Sequence, residues 1–191
     1  MNKHIKAPFD REEVKNLKAG DYVYIDGIVY SARDAAHKRM YDSIIKSGCE
    51  DVSGKELYER GIVPIDLNGN VIYYLGPTPA KPGQVIGSAG PTTSSRMDKY
   101  TPLILSKGLC GMIGKGKRSP EVIKSIIENK AVYLAAVGGA GALLSKCIKE
   151  SEVIAYDDLG TEAIRKMRVE NFPAIAVSYT HLRAHETPEH L

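Results

Sequence analysis

The segment between residues 76 and 118 holds the strongest candidates for chemistry. GPTPAKPGQVIGSAGPTTSSRMDKY is rich in glycine, proline, serine and threonine, and Arg96 stands in it at the predicted start of a helix. Such a loop exposes backbone N–H groups and hydroxyl donors, which together can cradle an anion. Neither G-x-x-x-x-G-K-[ST] nor G-x-G-x-x-G occurs, so the two best-known nucleotide-binding patterns are absent.

Three cations share one local setting, a predicted strand-to-helix junction near glycine or serine. They are Arg33 at the end of the first long strand, Arg96, and Lys115 between two glycines in IGKGKRS. Ligands of α/β proteins bind where strands end and helices begin. If the three cations converge, they suit a small dicarboxylate, because arginine binds a carboxylate bidentately and lysine adds a point charge.

Each of these features also has a purely structural interpretation. A loop of glycine, serine and threonine is commonly a plain turn. Arg33 could form a surface pair with the aspartate that follows it, and Lys115, Lys117 and Arg118 could be a solvated basic patch. His37, one helical turn after Arg33, is more often a packed helix residue than a catalyst. Spacing alone therefore leaves both interpretations open.

The elements that must position these residues predict an α/β fold with a β-rich first half. DYVYIDGIVYSA alternates as a strand or strand pair, and RDAAHKRMYDSIIKSG is an amphipathic helix. Asn68-Gly69 between two apolar runs predicts a hairpin.

The second half predicts alternating βα units and a largely parallel sheet. Ser119-Pro120-Glu121 begins a helix with a cap, a first-turn proline and an acidic residue. After it, AVYLAAV is a predicted strand, GALLSKCIKE a helix, SEVIAYDD a strand, TEAIRKMRV a helix and PAIAV a strand.

Composition narrows the class of protein. The 191 residues are 43% hydrophobic and 26% charged, which is typical of one globular domain. No apolar run is long enough to span a membrane, and no secretory leader pattern is visible. The net charge of +3 and the absence of tryptophan argue against nucleic acid. Cys49, Cys110 and Cys147 are scattered, which favours thiols in a reducing cytoplasm and gives no support to a metal site in this chain.

The last fifteen residues differ from the rest. His181 and His185 have the i, i+4 spacing of a helical metal site, but VSYTHLRAHET looks like the in-frame translation of a sequencing adapter. We therefore predict a domain over residues 1–176 and a non-native tail over 177–191, and we reject the histidine pair as a metal site.

Five ordered blocks closely resemble the β subunit of class I fumarate hydratase and L-tartrate dehydratase, the iron–sulfur hydro-lyases. They are ARDAAHKR, SAGPTTSSRMDKY, IGKGKRS, AVGGAGALLSK and AYDDLGTEAI, and the resemblance runs from about residue 5 to residue 176. It implies a swivelling β/β/α domain. It also implies that the [4Fe–4S] cluster, whose iron acts as a Lewis acid, belongs to the α subunit of a hetero-oligomer, or to the N-terminal domain in fused forms, and not to this chain.

The implied reaction is reversible hydration of a small dicarboxylate, with fumarate and malate favoured and L-tartrate as the alternative. Carried over by motif, the family's substrate arginines match Arg33 and Arg96, its lysine matches Lys115, and its catalytic threonine matches Thr92, with Thr93 beside it in the substrate site. A threonine base needs a neighbouring cation or N–H group to stabilise its alkoxide, a role for Arg96 or Lys115. A non-catalytic anion-binding module remains the second hypothesis.

Overall fold

The computed structural model of the protein describes residues 2–137 and 139–178, which form seven strands with helices between them. The strands are β1 (Lys3–Ala7), β2 (Tyr22–Ser31), β3 (Val71–Tyr73), β4 (Gly111–Gly114), β5 (Val132–Ala135), β6 (Ile148–Ala155) and β7 (Ile164–Ser178). The α-helices are α1 (Arg11–Val14), α2 (Asp34–Lys46), α3 (Gly54–Glu59), α4 (Thr101–Ser106), α5 (Pro120–Glu128) and α6 (Gly141–Cys147), and short 3-10 helices span Ser94–Met97 and Asp157–Glu162.

The central feature is a closed sheet of five strands. Strands β2, β3, β4 and β5 lie side by side and parallel, and β7 runs antiparallel to both β5 and β2, which closes the ring. Strand β1 extends the sheet in parallel next to β2, and β6 extends it in antiparallel next to β7. The mixed α/β class is therefore confirmed.

Alternation along the strands separates two hydrophobic cores. In β3, Tyr73 faces the inside of the closed sheet, where its ring meets Phe172 edge to face with centroids 5.1 Å apart. Its neighbour Ile72 faces the outer layer, where α2, α4 and α5 cover the sheet. The outer core includes Met40, Ile44, Ile104, Met112, Val122 and Ile126.

The helices that flank the candidate site begin where the sequence predicts. Ser119 caps α5 by accepting from the N–H of Val122, and Pro120 occupies the first turn. Helix α2 follows Arg33 directly and buries Met40 and Ile44 against the sheet. Among the described residues no helix is long and apolar enough to cross a membrane.

Two expectations about the second half are wrong: the helix over TEAIRKMRV, and the alternation of βα units as far as the last strand. TEAIRKMRV is not a helix, because residues from Ile164 onward belong to β7. That strand pairs with β2 on one side and with β6 or β5 on the other, and these long-range ladders outweigh local helix propensity. The alternation of βα units consequently stops after α6, where an antiparallel pair replaces it.

The first half is also not β-rich, because three helices accompany its three strands and DYVYIDGIVYSA forms one strand. Gly69 does make a turn with a φ of +74°, but no hairpin forms there. Its backbone bonds instead go to Phe9 and Gly108, and β3 pairs in parallel with β2 and β4. The preceding apolar residues are buried in the outer core without joining a ladder, including Val63 and Leu67.

Strand β7 runs to Ser178, so the first two residues of the predicted tail 177–191 lie in this strand. Residues 179–191, with His181 and His185, lie outside the described residues, and the non-native tail stays a prediction.

Candidate active site

Two of the predicted cations meet at one carboxylate. Nε of Arg96 donates to Oδ1 of Asp34 at 2.7 Å, and Nε of Arg33 lies 3.5 Å from Oδ2 of the same side chain. Arg33 follows the end of β2 and is 19% exposed, whereas Arg96 lies in the 3-10 helix and is 53% exposed. Although burial raises it, the pKa of Asp34 is held below its ordinary value by its own backbone N–H and by Arg96.

Glu162 completes this cluster from the far end of the chain. Its Oε1 lies 3.4 Å from Nη2 of Arg33, and its Oε2 accepts from the backbone N–H of Ala35 at 2.7 Å. The carboxylate therefore occupies the N-terminus of α2, where unpaired N–H groups and the helix dipole favour negative charge. Gly76 lies against the Arg33 side chain, and a Cβ on it would meet Nη1 at 2.6 Å.

The Thr92–Ser94 segment lies alongside Lys115. The N–H of Lys115 donates to the carbonyl of Thr92 at 3.3 Å, and the N–H of Ser94 donates to the carbonyl of Lys115 at 2.8 Å. Thr92 in turn donates its N–H to the carbonyl of Tyr74, just past the end of β3, at 2.7 Å. Lys115 is exposed directly after β4. The predicted residues thus follow the carboxyl ends of three neighbouring parallel strands, β2, β3 and β4.

The glycine-rich loop is closed at its base. Leu75 pairs with Pro91, and the hydroxyl of Thr78 accepts from the N–H of Ser88 at 2.8 Å. Inside the closed sheet, the hydroxyl of Tyr73 donates to the carbonyl of Ala89 at 2.6 Å. The Thr78 hydroxyl therefore holds the loop together, whereas the hydroxyls of Thr92 and Thr93 make no hydrogen bond within the described part of the chain.

The interpretation of a solvated basic patch holds for Lys115 and Lys117, which are exposed, and is wrong for Arg118. The Arg118 side chain is 1% exposed and pairs with Asp98, with Nε to Oδ1 at 2.7 Å. Nothing in the local pattern distinguishes this buried arginine from its exposed neighbours, and its partner stands twenty residues away.

His37 is a packed helix residue, as its structural interpretation predicts. It is buried, its ring meets Tyr74 edge to face, and Nδ1 lies 2.9 Å from the carbonyl of Arg33. Burial lowers the pKa of His37 to about 4, and the positive charge of Arg118 adds to this effect. Its imidazole is therefore neutral near pH 7.

The described residues do not fit an iron–sulfur cluster. Among residues 2–137 and 139–178 no group of three histidine, cysteine or acidic side chains could hold a metal. Cys110 lies in the inner core, where burial raises the pKa of its thiol to about 11, and Cys49 lies in the outer core. The sulfur of Cys147 contacts the carbonyl oxygen of Asn171.

Comparison with known proteins finds relatives of this chain. The sequence profile of a family described as Fumarase C-terminus matches residues 2–182. The chain belongs to this family. A provisionally named L(+)-tartrate dehydratase subunit beta of Methanocaldococcus jannaschii is 36% identical over 173 residues, which cover 88% of this chain and 82% of that protein.

Other members of the family are much longer than this chain. A provisionally named fumarate hydratase class I of Geobacillus stearothermophilus is 34% identical over 182 residues, covering 93% of this chain and 32% of that protein. The anaerobic fumarate hydratase class I of Escherichia coli is 38% identical over 152 residues, covering 78% of this chain and 25% of that protein. The chain thus spans about a third or less of these two fumarate hydratases and most of the archaeal β subunit.

Proposed function

We propose that this chain is the β subunit of a [4Fe–4S]-dependent hydro-lyase that reversibly hydrates a small dicarboxylate at a site shared with an α subunit. The observation that carries the proposal is the meeting of Arg33 and Arg96 at Asp34, together with the backbone pairing of the Thr92–Ser94 segment with Lys115, in a member of this family. Two arginines and a lysine supply the charge and geometry that two carboxylates need.

In this proposal Arg33, Arg96 and Lys115 bind the substrate carboxylates, with Thr93 at the edge of the same site. Thr92 takes the proton from the carbon next to the bond that breaks. Because a neutral hydroxyl is a weak base, Thr92 acts as the alkoxide after its own proton has passed to solvent, and Arg96 or Lys115 stabilises that negative charge. Taking the proton from the substrate carbon returns Thr92 to the neutral hydroxyl. Holding both carboxylates still supplies the orientation that makes this transfer efficient.

The partner and its cluster are part of the proposal. The name of the archaeal relative, a subunit beta, supports a hetero-oligomer with an α subunit. Since the described residues offer no cluster site, the proposal assigns the [4Fe–4S] group to the α subunit. The three free cysteines support a reducing, cytoplasmic location, and the mixed sheet is compatible with a swivelling β/β/α domain.

Fumarate to malate is the proposed reaction, because two of the relatives described above carry the name fumarate hydratase. Dehydration of L-tartrate is the alternative, favoured by the archaeal relative of similar length. The two substrates differ in hydroxyl groups, so one complex assayed with malate and with L-tartrate distinguishes them.

The test is anaerobic co-expression with an α subunit, followed by assays of fumarate hydration. We expect turnover from the complex and none from this chain alone. Activity of this chain alone without iron would refute the proposal. Binding of a dicarboxylate with no turnover in an iron-loaded complex would instead support the anion-binding module.

A further inference from the structure

Arg118 is a buried cation. The stability of the fold alone does not explain why this buried side chain is charged. Its side chain is 1% exposed and its partner Asp98 is 14% exposed. Removing two charges from water is unfavourable, and apolar residues of similar volume often replace a buried pair without loss of stability. Each of the three guanidinium nitrogens nevertheless has a partner: Nε pairs with Asp98, Nη1 donates to the hydroxyl of Tyr74 at 3.0 Å and Nη2 donates to the hydroxyl of Thr101 at 2.8 Å.

Two aromatic rings lie close to this guanidinium. Its central carbon lies 5.3 Å from the ring centroid of Tyr74 and 5.2 Å from that of Tyr133. The Tyr133 hydroxyl donates to the carbonyl of Gly116 at 2.8 Å and lies 2.9 Å from the hydroxyl of Ser94, from which it can accept. Arg118 therefore acts on the Lys115 loop and on the Thr92–Arg96 segment through one tyrosine.

Asp98 connects the same two segments at their other end. Its Oδ1 accepts from Arg118, and its Oδ2 accepts from the N–H of Ser119 at 2.7 Å. Asp98 stands two residues after Arg96, and Ser119 stands four residues after Lys115. Side-chain bonds from the buried cation and backbone bonds between Ser94 and Lys115 thus tie the segments at both ends.

We propose that Arg118 is a positioning residue for the dicarboxylate site. Through Asp98 and Tyr133 it holds the Thr92–Arg96 segment and the Lys115 loop at a fixed separation, and its own buried side chain does not touch substrate. The proposal rests on the function proposed above, since it takes Arg96 and Lys115 as the groups that bind the two carboxylates. A shift of about 1 Å in such groups is enough to reduce turnover strongly.

The kinetic test compares Arg118→Lys and Arg118→Met in the assembled α/β complex. Lysine keeps the charge but not the planar set of donors, and methionine keeps the length but not the charge. We expect KM for fumarate to rise about tenfold with Arg118→Lys, and kcat/KM to fall at least 100-fold with Arg118→Met. Arg168→Met is the matched control, because Arg168 also forms carboxylate pairs but lies on β7, 38% exposed.

Amide hydrogen exchange on the isolated, folded chain tests the same proposal without any activity. We expect exchange at Ser94 and Lys115 to become at least tenfold faster in Arg118→Met, while β1 and the first half of β2 exchange at the wild-type rate. If Arg118→Met does not fold, Arg118→Lys provides the comparison, with a smaller acceleration at the same two amides.

Two results would overturn the proposal: unchanged KM and unchanged exchange in a folded variant, or faster exchange spread evenly over the sheet with KM unchanged. The second pattern describes a residue that only stabilises the fold. A wild-type complex without turnover would refute the proposed function instead, and the exchange experiment would still decide whether Arg118 holds the two segments together.

Discussion

The guanidinium group of Arg96 provides the sharpest test of the dicarboxylate site. Its Nε is occupied by Asp34, and its two terminal nitrogens make no hydrogen bond within the described part of the chain. They are therefore free to bind one carboxylate in parallel. Arg96→Lys keeps the charge but replaces the planar fork by one ammonium group, which cannot make two parallel bonds to a carboxylate while it also reaches Asp34.

The expected loss follows from the number of bonds removed. A hydrogen bond to a charged group contributes about 1.5–3 kcal/mol, so losing one of two bonds should lower kcat/KM by about 10- to 150-fold. Arg96→Ala loses both and should lower kcat/KM by about 10²- to 10⁴-fold. Because Arg96 is 53% exposed, its pair with Asp34 should contribute about 1 kcal/mol or less to the free energy of unfolding.

The assay measures kcat and KM for fumarate and malate in the anaerobic α/β complex, together with urea unfolding of each isolated chain. Arg168→Ala, which removes an exposed ion-paired arginine on β7, serves as the control for general effects. A large kinetic loss with a wild-type unfolding curve supports the site. If both Arg96 variants keep kcat/KM within about threefold of wild type, or lose it only in proportion to lost stability, the reasoning is wrong.

Three further predictions concern stability. Tyr73→Phe should lower the free energy of unfolding by about 1–3 kcal/mol, because it leaves the buried carbonyl of Ala89 without its donor. The pKa of His37 is about 4 in the folded chain against 6.5 for an ordinary histidine, so the unfolded chain binds more protons between these values. Acidification from pH 6.5 to 4 should therefore cost about 3 kcal/mol that the variant His37→Gln does not lose. Gly27→Ala should destabilise more than Gly20→Ala: both have positive φ, but only at Gly27 would a Cβ lie 2.1 Å from a backbone carbonyl of β1.

Each stability prediction has its own control and its own contrary result. Tyr58→Phe, at a half-exposed tyrosine, is the reference for Tyr73→Phe, and equal unfolding curves would contradict the role of the buried hydroxyl. For His37, parallel pH profiles of wild type and His37→Gln would mean that the imidazole is not held neutral. Equal losses of unfolding free energy for the two alanine variants would mean that the positive φ, and not the close contact with β1, accounts for the requirement for glycine at Gly27.

Local sequence patterns predicted the helices and strands that depend on nearby residues and missed those that depend on distant residues. The start of α5 follows from the cap at Ser119 and Pro120, and α2 follows from its apolar period. Strand β7 could not be predicted in the same way. Its conformation depends on pairing with β2, more than 130 residues earlier, and the local sequence TEAIRKMRV does not indicate those contacts.

The same distinction applies to the candidate site. Arg33 and Lys115 follow the ends of β2 and β4, and Arg96 lies in the 3-10 helix after a serine-rich loop, so the glycine and serine residues near them allowed their positions to be predicted. Glu162 could not, because it reaches Arg33 from the connection between β6 and β7. A carboxylate at the N-terminus of a helix leaves a local signal only when it belongs to that helix.

The acidic residues beside the arginines orient these cations. Asp34 occupies only Nε of Arg96, and Glu162 is itself held by an N–H group of α2. Although burial raises it, the pKa of Asp34 is lowered by its own N–H at the start of α2 and by Arg96, so this carboxylate can remain ionised next to an anion site. A free arginine side chain loses roughly 2 kcal/mol of rotamer entropy when it is fixed, and here much of that cost is met during folding. Under the proposed function, a dicarboxylate therefore meets two guanidinium groups that Asp34 already holds, and more of its binding energy remains for the transition state.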